Sequence, residues 1–302
     1  MRKPHPPGMD HALYRYSPLP QRPQLVWPDG ARVALWCVLY LEYYELDPPE
    51  DSYRDPRYRG EFGNYSPEYR TYSTREYGNR VGVFRVLEVL DKYKLPVTVA
   101  VNAAVCERYP YLIDRCRERG WEFAAHGTHA TRMLNSRMDE AEERAHIARS
   151  IEAVENAAGR RPRGWIGQDM GETPRTPALL AEAGIDWLGD WPNDDQPYML
   201  TLDRPMVSLP YHVDWDDAQL IWLRRIATWR YPEIVGTAFD RLYAEGAADG
   251  RMMSLGIHPW VFGQAHRIRY LDEALAHIMG HDGVWAATGD AIADAYRDRR
   301  GG

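Results

Sequence analysis

Cysteine is scarce in this 302-residue chain: Cys37, Cys106 and Cys116 are the only three, scattered and odd in number. No CxxC and no Cys/His zinc spacing occurs, so neither a disulfide framework nor a cysteine-held metal organises the fold. Free thiols suit a reducing, intracellular compartment. No apolar run approaches the ~18 residues of a membrane span. The opening MRKPHPPGMDHALYRYSPLP lacks the apolar core of a secretory signal. The expectation is a soluble, cytoplasmic protein. Basic excess is missing too. With 37 Lys and Arg against 44 Asp and Glu, the formal charge is −7, which disfavours nucleic acid and anionic membranes as partners. Phenylalanine is rare, with 5 residues against 11 Trp and 20 Tyr. Rings with a polar handle suit half-buried packing or a pocket that stacks on a polar substrate. There is no Gly-rich phosphate loop and no GxSxG elbow. Ser208 and Ser254 lie in no nucleophile context and Cys37 lies inside a strand, so covalent catalysis is not signalled.

What the chain does have is an alternation of apolar runs and amphipathic segments. ARVALWCVLYLEY (31–43) is a buried strand, followed by a helix over 82–95 with Val83, Val86, Leu87 and Leu90 on one face. A strand over 96–105, a helix over 109–120 closed at Gly120, and a strand at WEFAAHG come next. A long helix over 138–159 has Asp139 and Glu140 at its start and Gly159 after its end. Further strands fall at PRGWIGQ, IDWLGDW, RMMSLGIHPW and GVWAATG, with helices between and after them. Strands alternating with helices imply a mostly parallel sheet covered by helices. Roughly seven strands favour a closed or nearly closed barrel over an open doubly wound sheet. Residues 1–30 are expected to form an extended arm, and 31–302 a single catalytic barrel. Residues 44–79, Tyr-rich and without helical period, are expected to form a long ordered loop near a site.

In such a fold, residues at the C-terminal ends of the strands face one mouth. Those positions hold Glu42 with Tyr43, Tyr44 and Glu45; His126; Gln168 and Asp169; Asp190, Trp191, Asn193, Asp194 and Asp195; and His258 with Trp260. A carboxylate and imidazoles are the parts needed to activate water and protonate a leaving group, with or without a metal. Glu42, His126 and His258 are the catalytic candidates. Burial of Glu42 beside apolar residues is expected to raise it toward neutrality. Arg80, Gln168, Asp169, Trp191, Asp194, Asp195 and Trp260 are the substrate-binding candidates, and one acid of NDDQP is expected to serve an Asx turn.

The ordered set EYGNRVGVFRVLEVLDKYKLPVTVAVNAAV, GWEFAAHG, RRPRGWIGQ, NDDQPY and GIHPWVFGQAHRIRYL resembles the polysaccharide deacetylase superfamily. Within it, the similarity is greatest to the branch of metal-independent allantoinases, and it covers about residues 30–295. The resemblance implies an α/β fold, a distorted (β/α)7-type barrel of NodB homology, and hydrolysis of a non-peptide C–N bond in a small cyclic or linear amide or ureide. Metal-using members carry an Asp–Asp pair and then His-x-x-x-His. Here Glu42 and Tyr43 stand at the first motif. His126 matches the first metal histidine, and Ala130 stands where the second would fall. No cofactor is therefore expected; the alternative is zinc held by Glu42, His126 and His129. His258 matches the histidine that serves the leaving group. Gln168 falls near the place of a substrate-binding Arg in many relatives. A metal-dependent N-deacetylase of poly- or oligosaccharides and a non-catalytic ligand-binding relative are the competing functions. A small-molecule substrate and a homo-oligomer are expected as partners.

Overall fold

A computed structural model describes residues 6–50, 52, 67 and 69–298. Among them nine strands form one curled sheet. These are β1 (Val33–Leu41), β2 (Val97–Val101), β3 (Glu122–Ala125), β4 (Gly164–Trp165), β5 (Trp187–Leu188), β6 (Tyr198–Met199), β7 (Val207–Ser208), β8 (Arg251–Ile257) and β9 (Val284–Ala286). The order is β6-β7-β5-β4-β3-β2-β1-β8, with β9 pairing the first three residues of β1. All pairs are parallel except β6 with β7. The result is an α/β half-barrel, the distorted barrel expected from the sequence. The seven long apolar runs account for seven strands. β6 and β7, two residues each like β4 and β5, add to those seven.

Period-two geometry explains where the site lies. Along β1, Val33, Leu35, Cys37, Leu39 and Leu41 pack outward into the core shared with the helices. Ala34, Trp36, Val38 and Tyr40 point inward to a second cluster. The next inward step after Tyr40 is Glu42. The same count along β8 carries Met252, Ser254 and Gly256 to His258, and along β3 it carries Glu122 and Ala124 to His126. The interior is packed below these residues. The Trp36 indole donates to Thr98 Oγ1 at 2.8 Å, and that hydroxyl donates to Glu122 Oε1 at 2.8 Å. The mouth is thus the place where inward side chains meet no further layer.

The segment 44–79 departs from the expected loop. Tyr69–Tyr77 is an α-helix that continues through a π-helical turn, Gly78–Gly82, into the helix Val83–Lys92. Residues 51, 53–66 and 68 of that segment lie outside the described residues. No apolar stripe marks the first helix, because it is held through Arg75, which is buried against aromatic rings. The π turn brings Gly78 and Gly82 against Trp260 and Pro259, so closely that a Cβ on either would collide with backbone there. That contact seats the short helix Pro259–Phe262, which starts directly after His258. The helix Glu140–Ala158 has Asp139 as its N-cap, in a capping box with Glu142, and Gly159 as its left-handed C-cap. Among the described residues no helix is long and apolar enough to cross a membrane.

Candidate active site

The cleft at the mouth is lined by Tyr40, Glu42, Tyr44, His126, Gln168, Asp169, Tyr211, Asp216, His258 and Trp260, among others. Glu42, His126, Gln168 and His258 are all buried, and they arrive from four different strands. Glu42 lies at the centre. Its Oε1 accepts from Gln168 Nε2 at 2.9 Å and stands 3.6 Å from His126 Nε2. Its Oε2 lies 3.2 Å from the Tyr44 hydroxyl and 3.9 Å from His258 Nε2. Burial alone would push this carboxyl up. Its interactions with His126, His258 and Gln168 outweigh burial and hold it well below the ordinary range. The expectation of a raised Glu42 is therefore corrected: Glu42 is a permanent anion, because the groups around it are donors and cations.

The two histidines have opposite environments. His126 Nδ1 lies 2.7 Å from the carbonyl of Ile166. A carbonyl only accepts, so Nδ1 carries the hydrogen, and in the neutral ring Nε2 is the nitrogen left bare. That nitrogen is buried and, among the described residues, has no hydrogen-bond partner. His258 is held from behind. Its Nδ1 lies 2.5 Å from Asp217 Oδ1, and its backbone N–H donates to Asp217 Oδ2 at 2.8 Å. Asp216 Oδ2 is 3.9 Å from the same Nδ1. Burial works against the charged ring, but the charges of Asp217 and Asp216, the bond to Asp217 and the charge of Glu42 raise it to about 9. Burial also raises Asp217, to about 6, still below its partner. At neutral pH the two are an ion pair, and Nε2 of His258 presents a proton to the cleft. Tyr40 stacks flat on His258, with ring centroids 4.2 Å apart and planes within 2°.

Sequence reasoning missed the groups behind these side chains. Asn102 bridges β2, β1 and β3: its amide donates to the His126 carbonyl and its oxygen accepts from Tyr43 N at 3.0 Å. Asp190 accepts from Gly167 N at 2.6 Å and so fixes the turn that carries Gln168. Burial pushes both Asp190 and Glu172 up. Tyr211 donates to Asp216 Oδ2 at 2.5 Å. Asp216, Asp217 and Tyr211 follow β7 in irregular chain, where no period places them. The acid pair in VDWDDAQ was the available signal. Gly256 admits them: a Cβ there would lie 1.8 Å from the Tyr211 hydroxyl and 2.1 Å from Asp216 Oδ2. Gly256→Ala should therefore displace the carboxylates behind His258 and cost about 1–3 kcal/mol of stability. Denaturant melts beside turnover at pH 8 check this, with activity expected to fall further than the loss of folded protein explains.

Of the substrate-binding candidates, Gln168, Asp169 and Trp260 line the cleft. Gln168 spends its amide on Glu42 rather than standing free for substrate. Asp169 and Met170 both adopt positive φ, 49° and 55°, in the turn beside it, a conformation that non-glycine residues adopt at a cost. The other four lie elsewhere. The Arg80 side chain is 69% exposed, with Glu76 one turn back at 3.8 Å. The basic group in the wall is instead Arg75, its guanidinium 3.2 Å from the Trp260 ring centroid. Trp191 packs on Tyr14. Asp194 pairs with Arg22 at 2.6 Å, and it also makes the expected Asx turn by accepting from Asp195 N and Gln196 N. Asp195 stands 3.5 Å from His212.

A divalent metal at this cleft would need three or four converging donors. Glu42 and the bare Nε2 of His126 supply two. His129 faces away: its Nε2 is 3.9 Å from Glu45 Oε1, in a cluster where Glu45 also takes Thr131 and Arg132. The backbone of Ala130, bonded to the Tyr43 carbonyl at 2.9 Å, fixes that turn. Asp216, Asp217 and His258 also lie close together, but their facing atoms are joined to one another, to Tyr211 and to Gln219. The residues present do not fit a zinc centre at the cleft. The three cysteines are buried and pushed up to about 12, hence unreactive.

A strand-end carboxylate flanked by two imidazoles lies at the mouth of this half-barrel, and the proteins it is similar to indicate a hydrolase of carbon–nitrogen bonds other than peptide bonds. The model of the polysaccharide deacetylase family matches residues 64–186 of the chain. Its structure is similar to that of PuuE allantoinase, at 28% identity and a TM-score of 0.83, covering 92% of this chain and 94% of the other. It is also similar to a probable polysaccharide deacetylase from Pseudomonas aeruginosa, at 28% identity and a TM-score of 0.81, covering 92% and 95%. A Schizosaccharomyces pombe protein named "Putative polysaccharide deacetylase" is 28% identical over 89% of this chain and 92% of its own.

Proposed function

We propose that the protein hydrolyses the C–N bond of a small cyclic or linear amide or ureide, and that it does so without a bound metal. The observation that carries this reading is the opposition, across one cleft, of a bare His126 Nε2 beside ionised Glu42 and a protonated His258 Nε2. Amide hydrolysis needs both: a base for water and an acid for a poor leaving nitrogen. His126 Nε2 and Glu42 Oε1 both accept, and 3.6 Å is too long for a direct bond. A water donating one hydrogen to each would be held there.

In this reading the water oxygen attacks the carbonyl carbon and its proton passes to His126 Nε2. Glu42 offsets the charge that forms on the ring. The C–N bond then breaks as His258 Nε2 gives its proton to the departing nitrogen, leaving an acid and an amine or ureide nitrogen. Both imidazoles reset by proton exchange with solvent. Gln168 keeps Glu42 in place throughout, and Tyr40 keeps His258 in plane. The likeness to an allantoinase over almost the whole chain supports the substrate class.

The test is turnover of allantoin, hydantoins, cyclic imides and N-acetyl sugars by chelator-treated enzyme. Hydrolysis of a ureide or cyclic amide that survives chelation is the expected result. Activity abolished by chelation and restored by zinc would overturn the metal-free reading, and activity confined to N-acetyl sugars would overturn the substrate class.

A further inference from the structure

A second convergence of ligating side chains lies at the opposite end of the sheet, where the strands begin. Asp240 stands on the helix Tyr231–Gly246, His277 on the helix Ile268–Met279, and His281 just past the end of the latter, before β9. We propose that these three residues form a binding site for a first-row divalent cation of the zinc type. It would staple the two helices to the turn that enters β9. This inference is independent of the chemistry assigned to the cleft.

One ligand atom from each residue lies within 4.8 Å of the others. Two histidines four residues apart share one face of a helix and its continuation, and a carboxylate from the neighbouring helix completes three N/O ligands, the minimum zinc uses with water in the fourth position. The tautomer of His281 is already set. Its Nδ1 lies 2.8 Å from the carbonyl of His277, so it carries the hydrogen and Nε2 is left bare for a metal. His277 Nε2 is 2.7 Å from Asp240 Oδ1. Adjacent ligands on tetrahedral zinc stand about 3.3 Å apart, from bonds near 2.0–2.1 Å. A small side-chain opening is enough, and at 40% and 56% exposure these two have room for it. A cation there replaces the hydrogen joining the pair, and His277 then carries its proton on Nδ1. Phe239 and Tyr243 flank His281 at centroid distances of 5.0 and 5.1 Å and form an apolar wall. The Tyr243 hydroxyl donates to the Asp282 carbonyl at 2.7 Å, which ties that wall to the same turn.

The experiment is titration of metal-stripped, tag-free, full-length protein with Co2+ and with Zn2+. It is read by calorimetry, by the visible absorption of tetrahedral cobalt and by thermal melts. One equivalent is expected to bind, with Tm rising by about 5 °C at a hundredfold excess over Kd. His281→Ala and Asp240→Asn should each weaken binding at least about tenfold and abolish the rise in Tm, while turnover stays unchanged. His126→Ala should leave binding intact. Asp240→Asn, an exposed and isosteric change, keeps the test valid if His281→Ala folds poorly. No binding, binding retained in both surface variants, or binding lost in His126→Ala would overturn the proposal.

Discussion

Replacing Asp217 by Asn should move the alkaline limb of kcat/KM from about 9 down to the ordinary histidine range near ~6.5 or below. Asp217 contacts His258 at both Nδ1 and the backbone N–H, and its charge is the largest influence opposing the burial of that ring. With that charge gone, only Asp216 and Glu42 still oppose burial, and the imidazolium loses its proton earlier. In the proposed mechanism the acid must be protonated, so activity falls as pH rises through its titration. At pH 8 the protonated fraction would drop by roughly 30-fold, while at pH 6 it would hardly change. A profile of kcat/KM from pH 5 to 10 for both proteins reads this directly. A limb that stays in place would remove His258 from the role of acid. Below the pH at which His258 titrates, His258→Ala should lower kcat about 10²–10⁴-fold. The same shift bears on stability. A folded-state value raised above the unfolded one contributes stability that is complete below ~6.5 and is lost as pH rises through about 9. The Asn variant should lack this contribution at neutral pH.

Glu42→Gln should cost about 10³-fold in kcat, equivalent to about 4 kcal/mol of transition-state stabilisation, with the fold retained by circular dichroism. The substitution preserves shape and removes the anion to which both imidazoles are turned. It also leaves one acceptor oxygen where the carboxylate had two, so the new N–H2 must face either Gln168 or the Tyr44 and His258 side. Donor facing donor in a buried site forces one of the two to turn away. Glu42→Asp keeps the charge on a shorter reach and should fall between. Single-turnover rates with the substrate identified from the amide panel measure the effect. A Gln variant that keeps more than a tenth of wild-type turnover would show that the anion is not part of the chemistry.

The parts of this site that were legible in the sequence are those that a strand's own alternation delivers. Glu42, His126 and His258 each follow a long apolar run, and the next inward position after such a run lies at the mouth. Gln168 was legible for the same reason, although its strand contributes only Gly164 and Trp165 to the ladder. Asp216 and Asp217 were not, because they follow β7, itself only Val207 and Ser208, and reach His258 through irregular chain. Arg75 was hidden in a segment without apolar period, its burial depending on rings from 44, 222 and 260. Arg80, the basic residue that the sequence made conspicuous, faces solvent. Asp194 was conspicuous as well, and it is spent on an ion pair with Arg22. Adjacency along the chain says which residues end a strand. It does not say which residues from distant loops close in behind them.

The position of β1 between β2 and β8 has a consequence for how the protein is made. β1 is nine residues long and buried throughout, and its partner on one side is β8, Arg251–Ile257. At translation speeds of about 5–20 residues per second, the β1 edge awaits that partner for roughly 10–40 s. During that interval an apolar strand edge with Glu42 at its tip is open to any other strand. In the finished protein the amides of β1, paired on both sides, should be the slowest to exchange with solvent, and a truncation before residue 251 should leave no enzyme at all.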